Sequence, residues 1–121
     1  MAKIMVVDDS PTDKEQLKLV LSRAGYEVLE AGSGADAIEL VHRFKPDCIV
    51  MDVVMPGING FQATRTLARD PDTANIPIIV VSAKDQETDR LWAMRQGARA
   101  YIVKPVKESD LIEKVNAALG G

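Results

Sequence analysis

The stretch Ile4-Met5-Val6-Val7-Asp8-Asp9-Ser10-Pro11 contains a complete strand-to-helix transition. Its apolar residues predict a buried strand over 4–7, and two acids follow that strand directly. Ser10 is a favoured N-cap residue, and Pro11 is favoured at the first helical position. A helix is predicted next, because apolar residues recur at helical spacing at Leu17, Val20, Leu21 and Ala24. Gly25 is predicted to end this helix.

The rest of the chain repeats this alternation of short apolar runs and longer amphipathic runs. Further strands are predicted over 26–30, 48–51, 77–81 and 101–103. Further helices are predicted over 33–44, from Asn59 or Gly60 to before Pro71, over 84–96 and over 107–119. Strict alternation predicts an α/β fold with a parallel sheet, and the continuous Val and Ile runs are typical of strands buried on both faces.

Length and composition limit the functional classes. With 121 residues, we expect a single domain over 1–121 with no output domain. The formal net charge is −3 without a run of Lys and Arg, which argues against nucleic-acid binding. The sequence shows neither a signal peptide nor an apolar stretch near membrane-spanning length, so we expect a cytoplasmic protein without membrane insertion. Cys48 is the only cysteine, which excludes a multi-cysteine metal cage. His42 is the only histidine, so a histidine-rich metal site or a self-contained histidine relay would be hard to build.

Polar residues follow four of the predicted strands at the edge where open α/β sheets bind ligands. Asp8 and Asp9 follow the first strand, Asp52 the third, Ser82 the fourth and Lys104 the fifth. In a flavodoxin-like strand order the first and third strands are neighbours, so the three acids converge and repel one another unless a cation joins them. Their oxygen ligands favour Mg²⁺, and a carboxylate, a metal and a lysine together suit phosphoryl transfer. Each residue alone is more often a cap or a solvated charge; the combination carries the prediction.

Four segments resemble the receiver domain of two-component response regulators: Val6-Val7-Asp8-Asp9-Ser10, Met51-Asp52-Val53-Val54-Met55-Pro56-Gly57, Val81-Ser82-Ala83-Lys84 and Tyr101-Ile102-Val103-Lys104-Pro105. The resemblance implies a doubly wound, five-stranded, CheY-like sheet of order 2-1-3-4-5 with five flanking helices.

The same resemblance implies roles for individual residues. Asp52 is expected as the phosphoacceptor, and Asp8, Asp9, Asp52 and the Val54 backbone carbonyl as the Mg²⁺ site. Lys104, Ser82 and Ala83 are expected to bind the phosphoryl group. Ser82 and Tyr101 are expected to form the conformational switch pair. The Lys104–Pro105 bond is expected to be cis, and Val54 and Lys84 to tune the phosphoryl lifetime.

A narrower resemblance lies in the segments 60–65, 84–92 and 96–99, which are similar to PilH-type stand-alone receivers of type IV pilus twitching-motility systems. It implies a monomer that accepts phosphoryl groups from a CheA-like histidine kinase. Such a protein signals to a downstream protein through the face of the fourth helix, fifth strand and fifth helix. It catalyses only its own phosphorylation and dephosphorylation and acts on no separate substrate.

Other functions remain open at this stage. The chain could be a phosphate sink for a shared kinase, or a chemotaxis-type regulator of a different motility output. An aspartyl-nucleophile phosphohydrolase commonly has a second acid where this chain has Val54. An FMN carrier needs a hydroxyl-rich phosphate loop in place of Asp8-Asp9. Trp92 is either packed at the edge of the core or an exposed anchor for a partner. His42 is expected to be solvated and Cys48 to be a small core residue.

Overall fold

The Val- and Ile-rich runs form the centre of a parallel sheet in the computed structural model, which describes residues 2–53 and 59–120. All residues of the third and fourth strands are buried, which explains why those runs lack polar alternation. The strands are β1 Lys3–Val7, β2 Glu27–Ala31, β3 Cys48–Asp52, β4 Ile78–Ser82 and β5 Ala100–Val103.

A helix follows each strand and covers one face of the sheet. The helices are α1 Pro11–Arg23, α2 Gly34–Phe44, α3 Gly60–Arg69, α4 Glu87–Arg95 and α5 Glu108–Ala118. Apolar residues of α2, α3 and α4 pack on one face of the sheet, and those of α1 and α5 pack on the other. The sheet is therefore covered on both sides, as parallel sheets require.

The strand order is β2-β1-β3-β4-β5, and every neighbouring pair is parallel. The predicted doubly wound fold and its strand order are confirmed. The order reverses between β1 and β3, so the carboxyl ends of these two strands flank the crevice in which such folds bind ligands.

Local signals at the helix ends are also found as predicted. The Ser10 side chain accepts from the backbone N–H of Asp13 at 3.3 Å, and Pro11 is the first residue of α1. Gly25 has a φ of 95°, a left-handed conformation in which a side chain would be strained. The third helix begins at Gly60 with Asn59 as its N-cap, in agreement with the predicted start. Asn59 and Gln62 also form a reciprocal capping box there, which the sequence analysis did not include.

Two expectations about helices were wrong. The fourth helix begins at Glu87 and not at Lys84, because side chains bind the backbone of Lys84. Ser82 Oγ accepts from its N–H at 3.1 Å, and the Tyr101 hydroxyl donates to its carbonyl at 2.8 Å. Ala24, expected on the buried face of the first helix, is an exposed C-cap whose N–H bonds back to the last turn.

Across residues 2–53 and 59–120, the structure contains no helix with the length and apolar character needed to cross a membrane.

Candidate functional site

Three carboxylates meet at the carboxyl end of the sheet, where β1 and β3 lie side by side. The parallel register pairs Val7 with Met51, so the next residues along, Asp8 and Asp52, come together. Asp8, Asp9 and Asp52 can each present an oxygen within 4.8 Å of the others. Asp8 and Asp52 are buried, whereas Asp9 is exposed. These three residues, called the carboxylate pocket below, lie where the sequence predicted them.

The carboxylate pocket fits a hard divalent cation. All three side chains offer oxygen, which Mg²⁺ prefers, and buried like charges at this separation repel each other without a cation. Asp8 Oδ1 is held by the backbone N–H of Ser10 at 2.9 Å, which fixes the orientation of that carboxylate. Val54, whose carbonyl is the fourth predicted ligand and whose side chain is predicted to tune the phosphoryl lifetime, lies outside the described residues.

Lys104 places a positive charge against these acids from the end of β5. Its Nζ lies 3.3 Å from Asp8 Oδ2 and 3.5 Å from Asp52 Oδ2. A third carboxylate, Asp13, is nearer, at 2.9 Å. Burial lowers the pKa of Lys104, but the hydrogen bond to Asp13 and the charges of Asp52 and Asp8 outweigh it and raise the pKa to about 12. The ammonium therefore stays protonated at physiological pH. The Lys104–Pro105 peptide bond is cis.

Ser82 lies at the end of the neighbouring strand, β4, and is fully buried. Its hydroxyl accepts from the backbone of Lys84 and also interacts with the hydroxyl of Tyr101. Desolvation raises the pKa of Tyr101, so its hydroxyl remains a donor. Ala83 and Lys84 are exposed. The structure thus joins Ser82, Tyr101 and the backbone of Lys84 in one hydrogen-bonded group.

Gly60, at the start of α3, lies directly against the backbone at the end of β3. Its N–H donates to the carbonyl of Val53 at 3.2 Å. A Cβ on Gly60 would overlap the backbone oxygen of Asp52 and come within 2.5 Å of the Cα of Val53. Glycine is therefore required for this close approach.

Residues 4–116 match the model of the response regulator receiver domain. The chain belongs to the receiver domain family.

Relatives and solved structures agree with that assignment. This receiver domain is 52% identical over 121 residues to the Protein PilH of Pseudomonas aeruginosa, with both chains covered completely. It is 37% identical to the phosphate regulon regulator PhoB of the same species, of which it spans 51%. The chemotaxis protein CheY4 of Vibrio cholerae shares 28% identity and a TM-score of 0.92, with 98% of this chain and 99% of that chain covered.

A further solved structure is that of a receiver domain with a bound metal ion. The receiver domain of a sensor histidine kinase from Pseudomonas aeruginosa, described with a magnesium ion coordinated in the active site cleft, has a TM-score of 0.91. Its identity to this chain is 28%, and the match covers 99% of this chain and 98% of that one. Receiver domains generally use Mg²⁺ at an acidic pocket, and this receiver domain has such a pocket.

Sequence reasoning missed Asp13, although a signal was present. The residue lies in the first turn of α1, which starts at the same sheet edge as the pocket. Acids are common in the first turn of a helix because the helix dipole favours them there. Asp13 therefore gave no reason, in the sequence, to expect a contact with Lys104.

His42 is exposed, as the sequence predicted, and its ring also has two hydrogen-bonding partners. Its Nε2 lies 2.7 Å from Asp70 Oδ2, and its Nδ1 lies 2.8 Å from the carbonyl of Ile38. Both partners accept hydrogen bonds, so the ring fits best as a protonated donor on both sides. Hydrogen bonds from the Ile38 backbone and from Asp70 accordingly raise the pKa of His42. The pair joins α2 to the end of α3, and nearby Asp72 completes a small polar cluster.

Cys48 lies in β3 and is completely buried, and desolvation raises its pKa to about 12. It is therefore an unreactive core residue, in agreement with the sequence prediction.

Proposed function

We propose that this receiver domain accepts a phosphoryl group on Asp52 from a histidine kinase of the CheA type and signals to a downstream protein. The observation that carries the proposal is the position of the Asp52 carboxylate. It is buried at the end of β3, grouped with Asp8 and Asp9, and 3.5 Å from the Lys104 ammonium. Full-length similarity to PilH supports a role in type IV pilus twitching motility.

The transfer step follows from this geometry. An Asp52 oxygen forms a bond to phosphorus while the bond between phosphorus and the donor imidazole nitrogen breaks. The electron pair of the broken bond stays on that nitrogen, which takes up a proton. Asp52 must be ionised to attack, and the adjacent Lys104 ammonium favours its ionised form. The product is an acyl phosphate on Asp52.

Asp8, Asp9 and Asp52 would hold Mg²⁺, together with the Val54 carbonyl. The bound ion would supply positive charge against the pocket's carboxylates and the phosphoryl oxygens. Lys104, the Ser82 hydroxyl and the backbone of Ala83 would bind the phosphoryl group. The protein would then catalyse only its own phosphorylation and dephosphorylation, with Val54 and Lys84 setting the phosphoryl lifetime.

Signalling would follow from rotation of Ser82 toward the phosphoryl group. Ser82 would then leave the N–H of Lys84, and Tyr101, which now bonds the Lys84 carbonyl, would turn inward. The result is a shift of population between two arrangements of the α4–β5–α5 face. Exposed Leu91, Trp92 and Met94, called the α4 patch below, offer apolar surface there for a protein partner. The protein would act as a monomer and without nucleic acid.

Phosphorylation with a small donor tests this function first. The protein is incubated with acetyl phosphate and Mg²⁺ and run on a Phos-tag gel. Wild type is expected to shift, and Asp52→Asn is expected not to shift. Labelling of both proteins would show that Asp52 is not the acceptor.

Transfer from the kinase then tests the partner. Rapid transfer from a CheA-type kinase, together with capture of a protein only by the phosphorylated form, supports an output regulator. Transfer with no phosphorylation-dependent partner indicates a phosphate sink.

A further inference from the structure

Lys104 makes its shortest contact with a residue outside the carboxylate pocket. Its Nζ lies 2.9 Å from Asp13 Oδ2, compared with 3.3 Å from Asp8 and 3.5 Å from Asp52. An ammonium has three donors, and these three carboxylates can engage all of them. In the structure, the lysine is therefore drawn toward α1 and away from Asp52.

A phosphoryl group on Asp52 changes this competition. It adds a charge of nearly −2 and three acceptor oxygens. Lys104 already donates hydrogen bonds to Asp13 and Asp8, so closer pairing with the phosphoryl oxygens draws its ammonium away from one of these contacts.

Of the three carboxylates, Asp13 is the one that Lys104 can leave at the lowest free-energy cost, because it is the most exposed. The Asp13 side chain is 41% exposed, whereas those of Asp8 and Asp52 are 0% and 8% exposed. A partly exposed carboxylate regains water when its ion pair breaks, so its release costs little. A buried carboxylate left without its cation is costly.

We propose that Asp13 is a positioning residue that restrains the Lys104 ammonium on the α1 side of the pocket and competes for it with the phosphoryl group on Asp52. This inference rests on the proposed function, because it requires Asp52 to be the acceptor. Asp13 would therefore lower the rate of Asp52 phosphorylation through its contact with Lys104.

The first test measures the initial rate of labelling by acetyl phosphate at saturating Mg²⁺. Asp13→Asn is expected to label about 2- to 5-fold faster than wild type, the factor that corresponds to one partly exposed ion pair. Asp13→Glu retains the charge and is expected to stay near the wild-type rate. Glu15→Gln removes the same charge from an exposed position on the same helix and is expected to have no effect.

A double-mutant cycle separates a restraint on Lys104 from a general effect of charge. In a Lys104→Met background, Asp13→Asn is expected to lose its accelerating effect. An equal acceleration with and without Lys104 would overturn the proposal, as would an Asp13→Asn rate equal to that of Glu15→Gln. Thermal melting checks folding, and Asp13→Ser takes the place of Asp13→Asn if the latter is unfolded.

A second readout needs neither the metal nor the phosphodonor. The ammonium signal of Lys104 in a ¹H–¹⁵N spectrum is expected to be protected from exchange in wild type and broadened in Asp13→Asn. An unchanged signal would overturn the restraint. Failure of wild type to label would overturn the proposed function and this inference with it. Labelling of wild type on Asp52 without an effect of Asp13 would overturn this inference alone.

Discussion

The carboxylate pocket and the α4 patch lie on the same domain but are built in opposite ways. Asp8 and Asp52 are buried against a lysine, a helix start and the ends of two central strands. The α4 patch leaves Leu91 49% and Trp92 50% exposed, and α4 buries only Ala93. The pocket is held by many contacts, whereas the patch is held by few.

This difference suits the two tasks assigned to the two regions. Phosphoryl chemistry requires groups held in fixed positions, because misplacement of charge weakens stabilisation of the transition state. A signalling surface requires an element that can change its arrangement at low free-energy cost, and segments with few buried contacts have low local stability. The comparison predicts that substitutions in the pocket change stability or metal binding, whereas those in the α4 patch change partner binding.

The largest expected effect is on stability at Gly60, which lies against the backbone of Asp52. Gly60→Ala forces a Cβ against the backbone of Asp52 and Val53, neither of which can move without disturbing the central strand. We expect the free energy of unfolding to fall by about 3 kcal/mol, as in severe overpacking. Denaturant unfolding measures it. Gly32→Ala is the control, because its Cβ would meet only the end of the Lys14 side chain, at 4.0 Å. Equal stability of the two variants would show that the contact at Gly60 is not tight.

Metal binding gives the next largest effect. Mg²⁺ at about 100 times its dissociation constant is expected to stabilise wild type by about 2.7 kcal/mol. Asp9→Asn removes an exposed ligand and should abolish most of this gain with little change in stability without metal. Thermal melting with and without Mg²⁺ measures both quantities, and Glu39→Gln on α2 serves as an exposed-acid control. Full stabilisation of Asp9→Asn by Mg²⁺ would place the ion elsewhere.

At the α4 patch we expect small effects on stability. Trp92→Ser replaces a half-exposed side chain and should change the free energy of unfolding by less than about 0.5 kcal/mol. Its phosphorylation rate should match that of wild type, while its capture of a phosphorylation-dependent partner should fall. A large loss of stability would mean that Trp92 belongs to the core after all.

The smallest effect is expected outside both regions, at the ion pair of His42 and Asp70. The pKa of His42 is raised by the Ile38 carbonyl and Asp70, with Lys45 opposing, and that of Asp70 is lowered by the Asp72 backbone and His42. The His42 contribution to stability is therefore complete below its unfolded pKa of 6.5 and is lost as pH rises through the higher folded pKa. The Asp70 contribution is present above its unfolded pKa of 3.8 and is lost as pH falls through the lower folded pKa.

His42→Gln should accordingly lower the melting temperature slightly at about pH 5.5 and less at about pH 8.5. Asp70→Asn should show the same pH dependence. A deficit in melting temperature that grows with pH would contradict the assignment of a protonated ring.

The sequence alone predicted the fold and the carboxylate pocket because both depend on short-range patterns. Apolar runs mark the strands, and acids placed directly after β1 and β3 must meet if those strands are neighbours. The start of α4 was not predictable in this way, because the bonds that hold Lys84 out of the helix come from Ser82 and Tyr101. The contact of Asp13 with Lys104 joins residues 91 positions apart and depends on side-chain reach, which spacing does not encode.

Chemical trapping of the acyl phosphate tests the central claim most directly. Borohydride reduces an aspartyl phosphate to homoserine, which mass spectrometry locates by position. After incubation with acetyl phosphate and Mg²⁺, we predict homoserine at position 52 and at no other aspartate, and none in Asp52→Asn. Homoserine at Asp8 or Asp9, or its absence from a protein that shifts on a Phos-tag gel, would contradict the account.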